Sequence, residues 1–444
     1  MRVEAECFKY LASLGLPHVK FCHLDKRALA YSEVDAARVL ARIRQSEAHP
    51  AAPVAPAPGA AARARERAHA VIEALPEAIR GPIQGLAKKT TPVLRTVLHH
   101  YRKAGTSVEA FTDQFQELTR PVHTPSTATG PVPFGPGDVL ISAGLDWDEK
   151  DNVYLYQLKL ALGLKIILFC YDLIPVLLPH LCVGEVAGLF ARYFVDVAWC
   201  ADEVMCISKS SQRDFLALVN QTGAPEPRTR IVRLGANLPI HTDDGKIEDL
   251  VTGKFLLFVS TIERRKNHEV IYRAIAQLVD QGRTDLPQIV FVGMMGWGVA
   301  DFLSDLRIDP RVRGRFTLLN HVSDAQLSRL YSKAQFTLYP SLYEGWGLPL
   351  AEALAHGKFC LASNTSSLPE VGGALVEYID PWESRRWAER IAYYLDHPEV
   401  LAAREKAIRE EYKPPRWADT GRTVFEAATH LLAAAPSTEQ PSAA

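Results

Sequence analysis

The chain of 444 residues holds seven cysteines, an odd number, with no C-x-x-C pair among them. That argues against a disulfide-stapled framework and predicts reduced thiols in a cytosolic protein. An excess of either charge is also missing: 50 Lys and Arg against 51 Asp and Glu leave a formal net charge of -1. No global field recruits nucleic acid or an anionic membrane, so any such partner depends on a local patch. Long apolar runs are absent as well. The most apolar stretch, "LKIILFCYDLIPVLLPHLC", is interrupted by Asp172, Pro175, Pro179 and His180 and reads as a buried strand followed by a loop. The opening residues show no charged leader followed by an apolar segment, which predicts no targeting signal. The histidines show no H-x3-H spacing, and no metal site is expected.

What is present is an alternation of strands and helices. At this length two cores are expected. The reading divides the chain into an N-terminal domain over 1–245, a C-terminal domain over 246–415, and a helix with a small polar tail over 416–444. "KIILFCYD", "EVMCIS", "TRIVRLG", "KFLLFVST", "QIVFVG", "FTLLN", "FTLYPS" and "KFCLAS" are apolar without strict period-two alternation, and helical patterns fall between most of them. Such runs are parallel strands covered on both faces. Ser211 and Asp214 have capping-box spacing at the start of one intervening helix. Residues 45–70, rich in Ala, Pro and Arg, read as a linker or insertion. A helix near 92–103 carries Lys88, Lys89, Arg95, Arg102 and Lys103 around an apolar face. It packs on its own domain or, alternatively, lies on an anionic membrane surface.

The chemistry concentrates in "YPSLYEGWGLPLAEALAHG" (339–357), where Glu344 and Glu352 stand eight positions apart. Gly345, Gly347 and Pro349 break any continuous helix between them. Pro349 suits the first turn of a helix and Gly357 its left-handed end. The N–H groups near Gly347 and Leu348, at the positive end of that helix, form an anion site, and the glycines allow close backbone approach. Glu344 on the loop is expected to be exposed in a cleft, and Glu352 to lie on the first helical turn. A ligand with an anionic middle and hydroxyl-rich ends, such as a nucleoside diphosphate sugar, fits that arrangement. "VGMMGWG" is ordered G-x-x-G-x-G, which does not match the dinucleotide fingerprint, and reads as a turn.

"EGWGLPLAEALAHG" with "SSLPEVGG" resembles the E-x7-E motif of family 4 glycosyltransferases, and within them the bacterial surface-polysaccharide mannosyltransferases. "FVSTIERRKNHEVIYRAI", "LLNHVSDAQLSRLYSKA", "CADEVMCISKSSQRDF" and "RLGANLP" extend the resemblance over about 165–375. It implies the GT-B fold, two Rossmann-like doubly wound parallel-sheet domains facing a cleft. It also implies metal-independent, cofactor-free transfer of a hexose with retention of configuration. The implied donor is GDP-mannose or another nucleotide sugar, and the acceptor a glycan or lipid-linked oligosaccharide. No nucleic acid partner is implied, and the enzyme would be cytoplasmic, with peripheral contact at the inner membrane as an option.

By the same resemblance Glu344 would meet the transferred sugar, Glu352 the ribose hydroxyls, Lys266 the diphosphate, and His321 and Val322 the base. An Arg usual five or six positions before the Lys is replaced here by Ser260 or Thr261, with Arg264 or Arg265 as substitutes. A usual His-Asp is replaced by Tyr171-Asp172, where the Tyr could orient the sugar. Asp172 could equally cap a turn. The strand and glycine-rich loop that precede the first helix in the family are not seen before "MRVE", so either the start is cut short or another segment fills that edge. A nucleotide-sugar epimerase and an inactive sugar-nucleotide-binding module stay open as alternatives.

Overall fold

The computed structural model describes residues 2–25, 30–48, 134–144, 150–182, 186–236 and 246–433. They belong to two compact units, Lys20–Pro133 and a larger one made of Met1–Val19 with Phe134–Ala444. In the smaller unit β1 (Phe21–Asp25) and β2 (Ala30–Val34) pair antiparallel, with Phe21 opposite Val34. Helix α2 (Ala36–Ala48) follows and runs four residues into the stretch read as linker from 45. The basic segment 92–103 and the polar tail from 436 lie outside the described residues.

The larger unit opens with α1 (Arg2–Ser13), which buries Val3, Cys7 and Leu11. Its first sheet is β3 (Val139–Ser142), β4 (Lys165–Cys170), β5 (Glu203–Cys206) and β6 (Arg228–Ile231), parallel and in sequence order. Positions 166–170 of β4 are all buried, which is why no alternation is visible in "IILFC". Helices α3 (Asn152–Leu162), α4 (Val186–Cys200) and α5 (Lys209–Thr222) connect these strands. Helix α5 starts one residue after Ser208, whose hydroxyl accepts the Ser211 N–H at 2.9 Å. The cap is therefore Ser208, and the Ser211/Asp214 spacing marks positions already inside the helix.

The second sheet is built from β7 (Phe255–Val259), β8 (Gln288–Val292), β9 (Phe316–Leu319), β10 (Thr337–Tyr339), β11 (Cys360–Ser363) and β12 (Glu377–Ile379). All neighbours are parallel, in the order β12-β11-β10-β7-β8-β9. The chain winds one way from β7 through β8 to β9 and the other way from β10, so β7 and β10 flank the topological switch point. Between strands run α6 (His268–Asp280), α7 (Ala300–Ile308), α8 (Asp324–Lys333), α9 (Leu348–Ala355) and α10 (Leu368–Gly372). Ser323 and Gln326 form a capping box on α8. Strand β7 carries an apolar core: Phe255, Leu256, Leu257 and Phe258 are each no more than 2% exposed, and burying each stabilises by about 1.5–3 kcal/mol.

After α11 (Ser384–Asp396) and α12 (Pro398–Glu411), helix α13 (Trp417–Ala433) returns to the first sheet. The Ala236 N–H donates to the Pro415 carbonyl at 3.0 Å, and the Thr420 hydroxyl to the Arg233 carbonyl at 2.8 Å. Helix α13 packs on α1, where Gly421 leaves room for Tyr10; a Cβ there would lie 2.5 Å from the tyrosine Cβ.

Candidate active site

The loops leaving β7 and β10 converge at the switch point, and each contributes part of one ionic cluster. The β7 loop closes in a single 3-10 turn, Arg264–Lys266, before α6. The Lys266 Nζ lies 2.6 Å from Glu344 Oε1, and Arg265 donates to Glu344 Oε2 at 2.9 Å. Arg265 also donates to the Tyr343 carbonyl and to Glu263 Oε1, each at 2.7 Å. Tyr339, at the end of β10, donates its hydroxyl to Glu344 Oε1 at 3.0 Å, and its ring lies 5.7 Å from the Lys266 ammonium.

Glu344 is 6% exposed, which corrects the expectation of an exposed carboxylate. Two cations fill the space in front of it. Burial alone would raise its pKa, but Lys266 and Arg265 outweigh burial and hold it down at about 2. Burial in turn lowers the Lys266 pKa, against the pull of Glu344.

Both glycines are also required by close contacts within the chain. A Cβ at Gly345 would sit 2.4 Å from the Tyr171 carbonyl oxygen and 3.0 Å from the Asp172 Cβ, both on the loop after β4. Gly345 therefore brings the two sheets' loops into contact. Gly347 has φ +100°, and a Cβ there would meet Leu368 at 2.6 Å. It precedes α9, where Pro349 occupies the first turn as expected. Among the described residues neither the Gly347 nor the Leu348 N–H has a hydrogen-bond partner, so two donors remain at the positive end of α9.

Glu352 is the fifth residue of α9, on its second turn rather than its first. It is 6% exposed. Its Oε2 accepts from the Tyr331 hydroxyl at 3.2 Å, and its Oε1 lies 3.6 Å from Arg2 of α1. Burial pushes its carboxyl up to about 7, with Arg2 and Tyr331 pulling the other way. This carries a sign. An acid that is harder to ionise in the folded state makes the protein less stable as pH rises from its unfolded value toward its folded one. Between pH 4.5 and about 7 the unliganded chain should lose roughly 3 kcal/mol from this group. Glu352→Gln removes that slope in denaturant melts taken across the range; an identical slope in the variant contradicts the assignment.

The other expected residues divide. Asp172 sits beside Gly345, close enough to feel Arg265, Glu344 and Lys266. Burial raises its pKa against Arg265, and its Oδ1 caps the Ile174 N–H at 3.1 Å. The Tyr171 hydroxyl instead donates to the Ala143 carbonyl at 2.5 Å, at the end of β3, so its side chain is tied down within its own lobe. Half-buried Thr261 follows β7. His321 is exposed and Val322 packs on the core in the loop after β9, at the same edge of the sheet.

Sequence reasoning missed Glu263, Tyr339, Tyr331, Arg2 and Ser366, whose hydroxyl accepts the Glu344 N–H at 2.8 Å. Glu263, two residues before Arg265, Tyr339, the first residue of the quoted motif, and Ser366, in "SSLPEVGG", lie within stretches already singled out. Missed too was the contact of Glu370 with α5: its carboxylate accepts the Lys209 and Ser210 N–H groups, both at 2.8 Å, from the opposite lobe. Among the described residues no group of three or more His, Cys, Asp or Glu could hold a metal ion. A D-x-D spacing does occur at Asp146-Trp147-Asp148, outside the described residues.

Residues 242–413 match the family model for glycosyl transferases group 1. The serotype-specific mannosyltransferase WbdA of Escherichia coli is 26% identical over 240 residues, 51% of this chain and 29% of that protein. The O-antigen chain mannosyltransferase B of Escherichia coli is 36% identical over 127 residues, 29% of this chain and 33% of that protein. The chain thus spans about a third of the length of these curated relatives. Among solved structures, a sucrose-phosphate synthase from Thermosynechococcus elongatus aligns with a TM-score of 0.54 at 19% identity, over 74% of this chain and 78% of that one. Anabaena HepE in complex with UDP-glucose aligns with a TM-score of 0.52 at 16% identity, over 65% of this chain and 78% of that one. At such identity these two speak to fold alone. Over residues 242–413, then, the chain matches glycosyl transferases group 1, and its two parallel sheets are those of the GT-B fold.

Proposed function

We propose that this chain is a retaining hexosyltransferase that uses a nucleoside diphosphate sugar. The single observation that carries the reading is the cluster of Lys266, Arg265 and Glu344 at the switch point, beside two N–H groups at the start of α9 that have no partner among the described residues. The diphosphate meets Lys266 and the Gly347 and Leu348 amides, which stabilise the charge that grows on it as it leaves. With those donors in place the transfer needs no divalent ion. Glu344 accepts hydrogen bonds from the sugar and keeps Lys266 aimed at the phosphates. Glu352 takes the ribose, and the base lies toward His321 and Val322.

The bond from the anomeric carbon to the phosphate oxygen breaks as the bond to the acceptor hydroxyl forms on the same face. The acceptor proton passes to the departing phosphate. Asp172 faces the sugar from the other lobe. Tyr171, whose hydroxyl donates to the Ala143 carbonyl, is given no part in this reading. Mannose is the proposed sugar, because the names of both Escherichia coli relatives specify it, and GDP-mannose is the first donor to try. A glycan or lipid-linked oligosaccharide is the proposed acceptor.

A thermal-shift panel of nucleoside diphosphates tests this. One base should stabilise the chain by about 2.7 kcal/mol at a hundred times its dissociation constant, with little effect of added magnesium. The matching sugar nucleotide should hydrolyse slowly without acceptor. Formation of a new sugar nucleotide would favour the epimerase, and binding without turnover the inactive module. No stabilisation by any base ends the proposal.

A further inference from the structure

Arg2 connects the first helix of the chain to Glu352, and three observations define how. Helix α1 is fixed against α13 by the close fit of Tyr10 on Gly421. The Arg2 guanidinium lies 5.4 Å from the Trp417 ring centroid. That ring is 5% exposed and is held by the bare backbone of Gly235, where a Cβ would come within 2.5 Å of it. From this support the Arg2 Nη1 reaches to 3.6 Å from Glu352 Oε1, too far for a hydrogen bond but well within ion-pair range.

The two oxygens of Glu352 are therefore unlike. Oε2 accepts from Tyr331. Oε1 faces a cation but has no hydrogen-bond donor among the described residues. We infer that Arg2 is a positioning residue for Glu352, favouring its ionised form and leaving Oε1 open to accept a hydroxyl of the bound nucleotide. This rests on the functional reading above, since it supplies what Glu352 needs to play the part assigned to it there.

Among the described residues the charged and titratable groups facing Glu352 are few. Arg2 comes from α1, and Tyr331 and Asp324 from α8, Asp324 opposing ionisation. Just past α9, His356 bonds the Glu352 backbone carbonyl at 2.7 Å and the Ser328 hydroxyl at 2.9 Å, not the Glu352 carboxylate, and stacks on Tyr331 at 5.1 Å. Arg2 is thus the cation of the set. Removing it leaves a buried carboxylate beside an acidic neighbour, and the acid form wins up to a higher pH. A role in holding α1 in place would produce a different signature, a loss that does not depend on pH.

The test uses the full chain with Arg2→Gln and Arg2→Lys, and GDP and UDP as probes. Calorimetric titration of the base that binds should show Arg2→Gln weakened about tenfold near pH 6.5, with the loss nearly gone by about pH 9, where Glu352 ionises unaided. Arg2→Lys should stay within about threefold of the parent throughout. In chains carrying carboxyl-labelled glutamate, the Glu352 carbon resonance, assigned with Glu352→Gln, should titrate about one pH unit higher in Arg2→Gln. Equal weakening at every pH with an unmoved midpoint, or no weakening at all, overturns the inference. If no nucleoside diphosphate of the panel binds the parent chain, the functional reading fails, while the resonance midpoint still decides whether Arg2 governs Glu352.

Discussion

Glu344→Gln should slow sugar transfer by about a hundred- to a thousandfold and weaken the folded state by about 3–5 kcal/mol. Both effects have one origin. The carboxylate is buried, and it is the shared partner of Lys266, Arg265 and the Tyr339 hydroxyl. An amide of the same size cannot neutralise two cations, and it turns a donor toward them. The stability loss has a definite pH dependence. Because the folded carboxyl is held at about 2, below its ordinary value of 4.5, its contribution is present above pH 4.5 and drains away as pH falls toward 2. Melts of parent and variant should therefore differ at pH 7 and converge in acid. A constant gap would place the loss in packing instead. On the kinetic side, single-turnover measurement is the decisive one, and unchanged turnover would remove Glu344 from the reaction. A variant that also leaves Lys266 and Arg265 without their carboxylate should be stabilised by pyrophosphate more than the parent is.

Much of this architecture is legible in the sequence. The unbroken apolar runs of "IILFC" and "FLLFV" already require sheets covered on both faces, and both runs are central strands. "EGWGLPLAEALAHG" carries its own punctuation. Pro349 sits in the first turn of α9, and Gly357 follows that helix at φ +67°. What is not legible is whatever depends on partners distant in the chain. Nothing near Glu352 announces Arg2, 350 positions earlier, and nothing near Gly345 announces that a carbonyl of the other lobe will sit 2.4 Å from its missing Cβ. The same limit explains the misjudged exposure of Glu344. A loop carboxylate is normally solvated, and only the fold brings "RRK" from the loop after β7 in front of it. Tyr171 is a related case. Its place at the end of β4 is legible, but the carbonyl that captures its hydroxyl belongs to the neighbouring strand's loop. The capping error at α5 is local and instructive. In "SKSSQRDF" the serine that caps is the one whose hydroxyl reaches an amide three residues on, and three serines compete for that description.

Lys266→Met should lower transfer by a similar factor, about a hundred- to a thousandfold, while affecting the fold in a way that separates it from Glu344→Gln. Lys266 is 9% exposed, and burial pulls its ammonium toward the neutral form, so the protein already bears a desolvation penalty to keep it charged. Replacing it with an unbranched apolar chain relieves that penalty and leaves Arg265 to hold Glu344. The stability change should accordingly be smaller than for Glu344→Gln. The rate loss should not be smaller, because a cation on the leaving diphosphate acts when charge develops and Arg265 is engaged with Glu263 and the Tyr343 carbonyl. The double variant makes the coupling measurable. If the pair functions as a unit, Lys266→Met added to Glu344→Gln should cost little further activity and return part of the lost stability, an interaction of about 0.5–3 kcal/mol. Strict additivity in both quantities would mean that the 2.6 Å contact between them is incidental, and that the diphosphate is held elsewhere in the cleft.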